Sequence, residues 1–173
     1  LKDAQNIFQE NKLVGNITIA ASKTISNYIM PNIYFDFLTK YKDVKLDILT
    51  INSSKIIDKI LKSEIDIGLI EINTQNSSLI KEKLCDDELI VVTSDKNYKK
   101  EAFIDAIKKR WILREIGSGT REIFINYIGD ISKELDIFMQ LQDFEEIKTI
   151  VLNNPDTVTT LSKVIVKKEL EEK

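Results

Sequence analysis

Hydrophobic residues along the chain follow two spacings: a continuous or alternating one typical of strands, and one of about every three to four residues typical of helices. Pro31 lies inside the first long helical stretch and is tolerated only near a helix start, so the regular helix is expected to begin there. An apolar run at residues 79–84 is a further candidate strand. The predicted strands cover residues 15–21, 45–51, 65–70, 88–94, 111–114, 135–141 and 157–162. The predicted helices cover residues 27–41, 55–62, 99–109, 121–128, 144–152 and 163–172.

The order of these elements predicts an α/β fold with mostly parallel sheets flanked by helices, because strands and helices alternate with short connections. The pattern restarts near residues 88–95, so the chain is expected to form two similar halves with a cleft between them. Residues 1–12 have apolar side chains at helical spacing and form either a first helix or the end of a longer one. Ligands of such folds bind between lobes and beyond the carboxyl ends of the strands.

Composition narrows the chemistry that the cleft can support. The 173 residues include 25 Lys and Arg, 28 Asp and Glu, one Cys and no His. The chain therefore lacks the commonest general base, any His-ligated metal site and an internal disulfide, which makes hydrolytic and metal-dependent enzymes poor candidates. With a net charge of −3, this segment is not expected to bind nucleic acid by itself. No apolar run reaches the ~20 residues that cross a bilayer, and the cytoplasm is the predicted location.

Three predicted strand-to-helix turns concentrate small polar residues. The turns contain Ser22 and Thr24, then Asn52 and Ser53, and then Ser118, Gly119, Thr120 and Arg121. Helix starts present unpaired N–H groups and a partial positive charge, which favours an anionic ligand. Arg121 adds a fixed charge that can make two hydrogen bonds to one anion. The alternative is that these residues are ordinary helix caps, which is the simpler interpretation of the first two turns.

Other reactive or unusual residues give weaker predictions. Cys85 is expected to be a buried apolar residue rather than a nucleophile, and Trp111 is expected in the core. Arg114 either lines the cleft or forms a surface ion pair, and the surface pair is favoured. Glu115 and Glu122 flank the third turn and could act as acid and base, but neither a nucleophile nor a cofactor motif accompanies them.

A series of short motifs, taken in chain order, resembles the effector-binding domain of LysR-type transcriptional regulators. The third turn with Arg121 is most similar to the branch related to sulfur-assimilation regulators. The motifs are GNITIAASKTI at 15–25, YIMP at 28–31, NS at 52–53, EIDIGLI at 64–70, DELIVV at 87–92, WILRE at 111–115, GSGTR at 117–121, EIK at 146–148 and LSKV at 161–164. Together they extend over nearly the whole chain.

This resemblance implies the two-lobed fold of type II periplasmic binding proteins, with two crossovers between the lobes. Lobe I would comprise residues 13–90 and lobe II residues 91–162. Residues 163–173 would form a return helix towards lobe I, whose C-terminal part would be missing. Residues 1–12 would be the end of a linker helix.

The resemblance also implies what the domain binds. A small, anionic effector would occupy the inter-lobe cleft without a cofactor, a metal or a catalytic residue. DNA would be bound only through an N-terminal winged helix-turn-helix that is absent from this chain, and family members usually form dimers and tetramers. The effector contacts would be Ser22, Thr24, Asn52, Ser53, Ser118, Gly119, Thr120 and Arg121.

Two functions of other classes compete with a ligand-sensing regulatory domain. A free-standing solute-binding protein for transport would share the fold, and its gene would encode an export signal upstream. A small transferase or isomerase would use Glu115 or Glu122 and would turn over a substrate.

Overall fold

The chain builds two separate sheets, each flanked by helices. The computed structural model describes residues 13–98 and 103–171, so the helix predicted at residues 1–12 lies outside the described residues. The strands are β1 (Gly15–Ala21), β2 (Val44–Thr50), β3 (Ile67–Leu69), β4 (Leu89–Val92), β5 (Arg110–Arg114), β6 (Asp136–Leu141) and β7 (Thr157–Ser162). The helices are α1 (Pro31–Lys40), α2 (Ser53–Leu61), α3 (Phe103–Ile107), α4 (Gly119–Ile128), α5 (Phe144–Asn153) and α6 (Lys167–Glu171), with a π-helical turn at Ile25–Ile29 and a 3₁₀ turn at Gly129–Glu134.

The first sheet is parallel and has the strand order β2-β1-β3. Side chains of β1 alternate between its two faces. Ile19 and Ala21 pack on one face with Tyr34 of α1, whereas Ala20 packs on the other face with Ile56 of α2. Because β1 is central and contacts both layers, its carboxyl end at Ala21 lies between the two helices.

The second sheet has the order β4-β7-β5-β6, in which only β4 runs antiparallel to its neighbour. Trp111 and Ile112 of β5 are fully buried and belong to different clusters on the two faces of the sheet. Trp111 stacks on Phe124 of α4, which confirms its predicted place in the core. Val166, just before α6, packs in the cluster that also contains Ile147 of α5.

The predicted α/β class is confirmed, and the differences lie in a few segments. Residues 79–84 do not form the predicted strand, because the first sheet ends at β3 and leaves this run without a neighbouring strand among the described residues. Ile80 is 96% exposed as a result. The strand predicted at 65–70 is reduced to β3, and the helix after the third turn begins two residues earlier than predicted, at Gly119. Within the described ranges, no helix is long and apolar enough to cross a membrane.

Candidate functional site

The second and third turns lie against each other, where the carboxyl ends of β2 and β5 meet. The backbone N–H of Ser54 donates a hydrogen bond to the Gly117 carbonyl oxygen at 3.4 Å. A Cβ atom added to Gly117 would lie 2.6 Å from Ser54 Oγ, and one added to Gly119 would lie 2.7 Å from Ser53 Oγ. Both distances are shorter than real Cβ contacts, so a larger residue at either position would force the facing serine side chain or the turn to shift. The two turns predicted to share a cleft are therefore brought together.

The first turn closes the same region from β1. The backbone N–H of Ser22 donates to the Leu69 carbonyl oxygen of β3 at 3.0 Å, which fixes the turn beside that strand. Lys23 Nζ reaches across to the second half of the chain and donates to the Gln142 carbonyl oxygen at 2.7 Å. Thr24 is only 1% exposed, and no described residue forms a hydrogen bond with its hydroxyl oxygen. This turn therefore contributes a buried hydroxyl group without a partner.

A cavity of about 610 Å³ opens beside these turns, a size typical of small-molecule sites. Its polar lining residues include Thr24, Glu71 and Thr120. Isoleucines of α2 line another part of its wall, and the segment 79–87 lines its remaining side. Cys85 belongs to this segment and is exposed, so the expectation of a buried cysteine is wrong because the segment has no sheet to pack into.

Glu71 is a site residue that the sequence prediction missed. It follows β3 closely, at the same edge of the first sheet as the first two turns, and its side chain lines the cavity. Ser53 Oγ donates a hydrogen bond of 3.1 Å to Glu71 Oε2. A Cβ atom on Gly119 would lie 2.7 Å from the same carboxylate oxygen. The only sequence signal for Glu71 was a carboxylate at the end of a strand, and a single acidic residue there is common.

Asn52 acts as the cap of α2, the simpler of its two predicted roles. Its side-chain oxygen accepts hydrogen bonds from the Lys55 backbone N–H at 3.2 Å and from the Ser54 hydroxyl at 3.1 Å. A Cβ atom on Gly117 would be 3.3 Å from Asn52 Nδ2, so the cap also borders the third turn.

The third turn places its residues differently. Ser118 and Thr120 are almost fully buried, and Thr120 lines the cavity. Arg121 Nη1 donates to the Arg114 carbonyl oxygen at 2.9 Å and to Gln140 Oε1 at 2.7 Å. These bonds hold the Arg121 side chain beside β5 and β6, and Arg121 is not among the described residues that line the cavity.

Arg114 forms a buried ion pair rather than the surface pair that was favoured. Its side chain is 4% exposed and makes two hydrogen bonds to the Glu115 carboxylate, of 2.8 Å and 3.1 Å. The guanidinium carbon lies 4.2 Å from the centre of the Phe144 ring, which covers it. Since Glu115 is engaged by this cation, its carboxylate is poorly placed to act as a free general base.

Contacts between the two halves continue on the outside of the cleft. Tyr28 packs edge-on against Phe144, and its hydroxyl donates to Glu145 Oε1 at 3.1 Å. Burial and this hydrogen bond raise the pKa of Tyr28. Nearby, Lys148 Nζ lies 2.8 Å from carboxylate oxygens of Glu145 and Glu169. Burial opposes the charge of Lys148, but these two carboxylates outweigh it and raise the pKa of Lys148 to about 12.

Metal chemistry has no support in the described part of the chain, where no group of three or more His, Cys, Asp or Glu side chains could hold a metal ion. What the turns do offer is hydroxyl groups, the starts of α2 and α4, and one carboxylate beside a partly apolar cavity. This arrangement is suited to binding a small polar molecule.

Comparison with known proteins identifies what the chain is similar to. The family model for the LysR substrate binding domain matches residues 10–173. The HTH-type transcriptional regulator YeiE of Escherichia coli (strain K12) is 30% identical over 172 residues, which are 98% of this chain and 58% of YeiE. The HTH-type transcriptional regulator CysL of Bacillus subtilis (strain 168) is 27% identical over 160 residues, which are 90% of this chain and 53% of CysL. The chain thus spans about half the length of these curated relatives.

Solved structures agree with the fold. The effector binding domain of QuiR in complex with shikimate superposes with a TM-score of 0.74 and 17% sequence identity, covering 91% of this chain and 78% of that chain. This likeness confirms the predicted α/β fold of the type II periplasmic-binding-protein kind.

Proposed function

Since the chain belongs to the LysR substrate binding domain family, we propose that it is the effector-sensing domain of a DNA-binding transcriptional regulator and that a small anionic metabolite binds between its two halves. Its relatives are transcriptional regulators, so the transport alternative is not favoured. DNA binding through an N-terminal winged helix-turn-helix, assembly into dimers or tetramers and a cytoplasmic location belong to this proposal, as does the division into lobe I (13–90), lobe II (91–162) and a return helix (163–173).

The buried hydroxyl of Thr24 is the observation that carries the proposal. A buried polar group without a partner costs about 1–3 kcal/mol, and a ligand that bonds to it recovers that cost. Thr159 also lacks a partner among the described residues, but of the two only Thr24 lines the cavity. Thr24 lines the same cavity as Thr120 and lies in the turn that was predicted to bind the effector. A ligand oxygen in this cavity would accept a hydrogen bond from the Thr24 hydroxyl. The proposed contacts are Ser22, Thr24, Asn52, Ser53, Ser118, Gly119 and Thr120. Arg121, predicted as an eighth contact, is proposed instead to position the third turn.

An anionic effector fits the character of the donors. α2 begins at Ser53 and α4 begins at Gly119, and both helices are long enough to carry a positive partial charge at these ends. Serine and threonine hydroxyl groups add neutral donors that do not depend on pH. In this proposal Arg121 acts through the position of the third turn, because its Nη1 atom bonds the Arg114 carbonyl oxygen and Gln140.

The proposed signal is a change in how the halves close on each other. Direct hydrogen bonds already join them at Ser54–Gly117 and Lys23–Gln142. An effector between the halves can shift this arrangement only if it binds the closed and open forms with different affinity. In the regulator, this shift would change how its DNA-binding domains are arranged.

A thermal-shift screen of small anions, followed by two matched variants, tests the proposal. Thr24→Val and Thr159→Val each remove a buried hydroxyl that has no partner among the described residues, but Thr159 lies in β7 away from the cavity. We expect at least one anion to raise the melting temperature, since a ligand of the folded state stabilises it. Calorimetry should then show about 3- to 10-fold weaker binding to Thr24→Val, the size of one hydrogen bond.

The Thr159→Val protein should bind that anion as the unchanged protein does. Equal affinity of all three proteins, or the absence of any stabilising anion, would contradict the proposed site.

A further inference from the structure

The carboxylate of Glu71 occupies the place where the proposed site would receive an anion. Its Oε2 atom accepts a hydrogen bond from Ser53 Oγ, at the first residue of α2. The same atom lies close to Gly119, the first residue of α4: a Cβ atom added there would lie 2.7 Å from it, and one of the two would have to shift. Glu71 follows β3 of the first sheet, whereas Gly119 begins α4, which follows β5 of the second sheet. One carboxylate of the chain therefore lies beside the starts of two helices and is hydrogen bonded to one of them, at Ser53.

This position has an electrostatic cause and an electrostatic cost. A negative charge beside the starts of two helices is stabilised by their dipoles, and Ser53 satisfies one of its oxygens. A second anion brought to the same donors would meet a like charge a few ångströms away, which costs far more inside a cleft than in water. The donors can therefore serve Glu71 or an effector anion, but not both at full strength.

From this geometry we propose that Glu71 is an internal competitor for the effector site and determines its specificity. A small oxyanion binds by displacing the Glu71 carboxylate from Ser53 and Gly119, and the side chain moves into the adjoining cavity, which it already lines. The unchanged cleft therefore binds an oxyanion only if its further contacts, such as one to Thr24, offset the free energy needed to displace the Glu71 carboxylate. This inference rests on the proposed function.

Displacement also links the competition to closure of the cleft. The Glu71 carboxylate is hydrogen bonded to the first half and lies beside the second, whereas an effector in its position could form hydrogen bonds to both. On binding, the effector would replace the Glu71 carboxylate, which belongs to the first half, and would itself contact both halves. Glu71 would in this way influence both which ligand binds and which arrangement of the halves is stable.

Sulfate is a suitable probe, because it is a small dianion that stays fully charged across the working pH range. Five forms of the chain are titrated with sulfate by calorimetry: unchanged, Glu71→Gln, Glu71→Ala, Glu82→Gln and Ser53→Ala. Glutamine at position 71 keeps the size and the acceptor for Ser53 but removes the charge. Glu82 is exposed on the segment that lines the same cavity, so Glu82→Gln controls for net charge alone. Circular dichroism and urea unfolding establish that each variant is folded.

We expect Glu71→Gln to bind sulfate about tenfold more tightly than the unchanged chain, as removal of a like charge at close range predicts. Glu82→Gln should change the affinity by less than about twofold, because its charge is screened by solvent. Glu71→Ala, which empties the position, should also bind more tightly than the unchanged chain.

Equal binding by the unchanged chain and both Glu71 variants, with weaker binding by Ser53→Ala, would overturn the Glu71 inference and leave the proposed anion site in place. An equal gain in Glu71→Gln and Glu82→Gln would reduce the effect to net charge and also overturn it. If sulfate binds none of these proteins while another anion stabilises the unchanged chain, the Glu71 inference is wrong and the proposed anion site stands.

Discussion

At the scale of single residues, Gly117 shows how backbone conformation brings the halves together. Its φ of +87° lies in the region that favours glycine, and a Cβ atom there would meet Ser54 Oγ at 2.6 Å. Two independent penalties, one in the backbone and one across the cleft, therefore fall on any other residue at this position. The glycine turn is a requirement of close approach as well as a flexible link.

Substitution of Gly117 by alanine separates these penalties when Gly129→Ala is the control. Gly129 also has a positive φ, of +55°, but nothing lies within 4 Å of its added Cβ atom. Both variants should lose about 1–2 kcal/mol from backbone strain. Gly117→Ala should lose about 1 kcal/mol more from the clash with Ser54. Urea unfolding measures the loss of free energy of unfolding in both variants. Equal losses would show that the second and third turns can move apart without destabilising the fold.

At the scale of elements, α6 depends on a partly buried lysine of α5 for its attachment. It has only five residues, too few for a helix that is stable on its own. Glu169 of α6 pairs with Lys148 of α5, whose side chain is 12% exposed. The Lys148–Glu169 ion pair between the two helices is therefore more shielded from solvent than the ion pair of Lys133 with Asp130.

Lys148→Met should lower the free energy of unfolding by about 1–2 kcal/mol, the scale of hydrogen bonds to charged groups. The pKa of Lys148 is raised from 10.5 to about 12 on folding, so its contribution is complete below pH 10.5 and disappears as the pH rises to 12. The difference between unchanged and Lys148→Met chains should follow that course in unfolding experiments at several pH values. Lys133→Met, which removes an exposed charge, should cost almost nothing. A difference that stays constant to pH 12 would contradict the assignment.

Elements with strong periodicity could be predicted from the sequence, because the spacing of their hydrophobic residues indicates which face is buried. β1, α1, β5 and β7 lie within a residue or two of their predicted ranges, apart from the π-helical turn that precedes Pro31. Residues 79–84 could not be judged in this way, since an apolar run becomes a strand only when another strand pairs with it. The burial of Arg114 was equally hidden, because Phe144, which covers it, lies thirty residues further on.

The candidate site could be predicted as a convergence of turns but not as a set of contacts. Parallel strands bring their carboxyl ends to one edge, so the three turns could be identified from their positions alone. Which side chain would fill the space between them depends on distances across the cleft. Glu71 fills that space in the structure. A single glutamate after a strand is too common a pattern to predict these contacts.

At the scale of the whole molecule, the two halves differ in how much core they possess. Among the described residues, the second sheet has two clusters of seven buried hydrophobic residues each, whereas the first sheet has clusters of five and three. Hydrophobic burial is the main stabilising contribution to folding, so the first half should be the less stable one. Contacts across the cleft, such as those of Tyr28 with Phe144 and Glu145, support it.

Tyr28→Ala should weaken this coupling and make the halves unfold separately. Trp111 is the only tryptophan and is buried in the second half, so its fluorescence reports on that half, while far-ultraviolet circular dichroism reports on both. In the unchanged chain the two urea curves should coincide, as in a two-state transition. In Tyr28→Ala the dichroism curve should begin to fall at lower urea than the fluorescence curve. Tyr28→Phe keeps the ring contact and should separate the curves less. Coincident curves in all three proteins would argue against a stabilising role for Tyr28.

The exposed position of Cys85 has a practical consequence. It is the only thiol in the chain and belongs to the segment that lines the cavity. A maleimide dye will therefore attach at one place, without any substitution, beside the space in which we expect the effector. An environment-sensitive fluorophore there would convert the domain into an optical sensor, whose emission follows the arrival of candidate metabolites in real time.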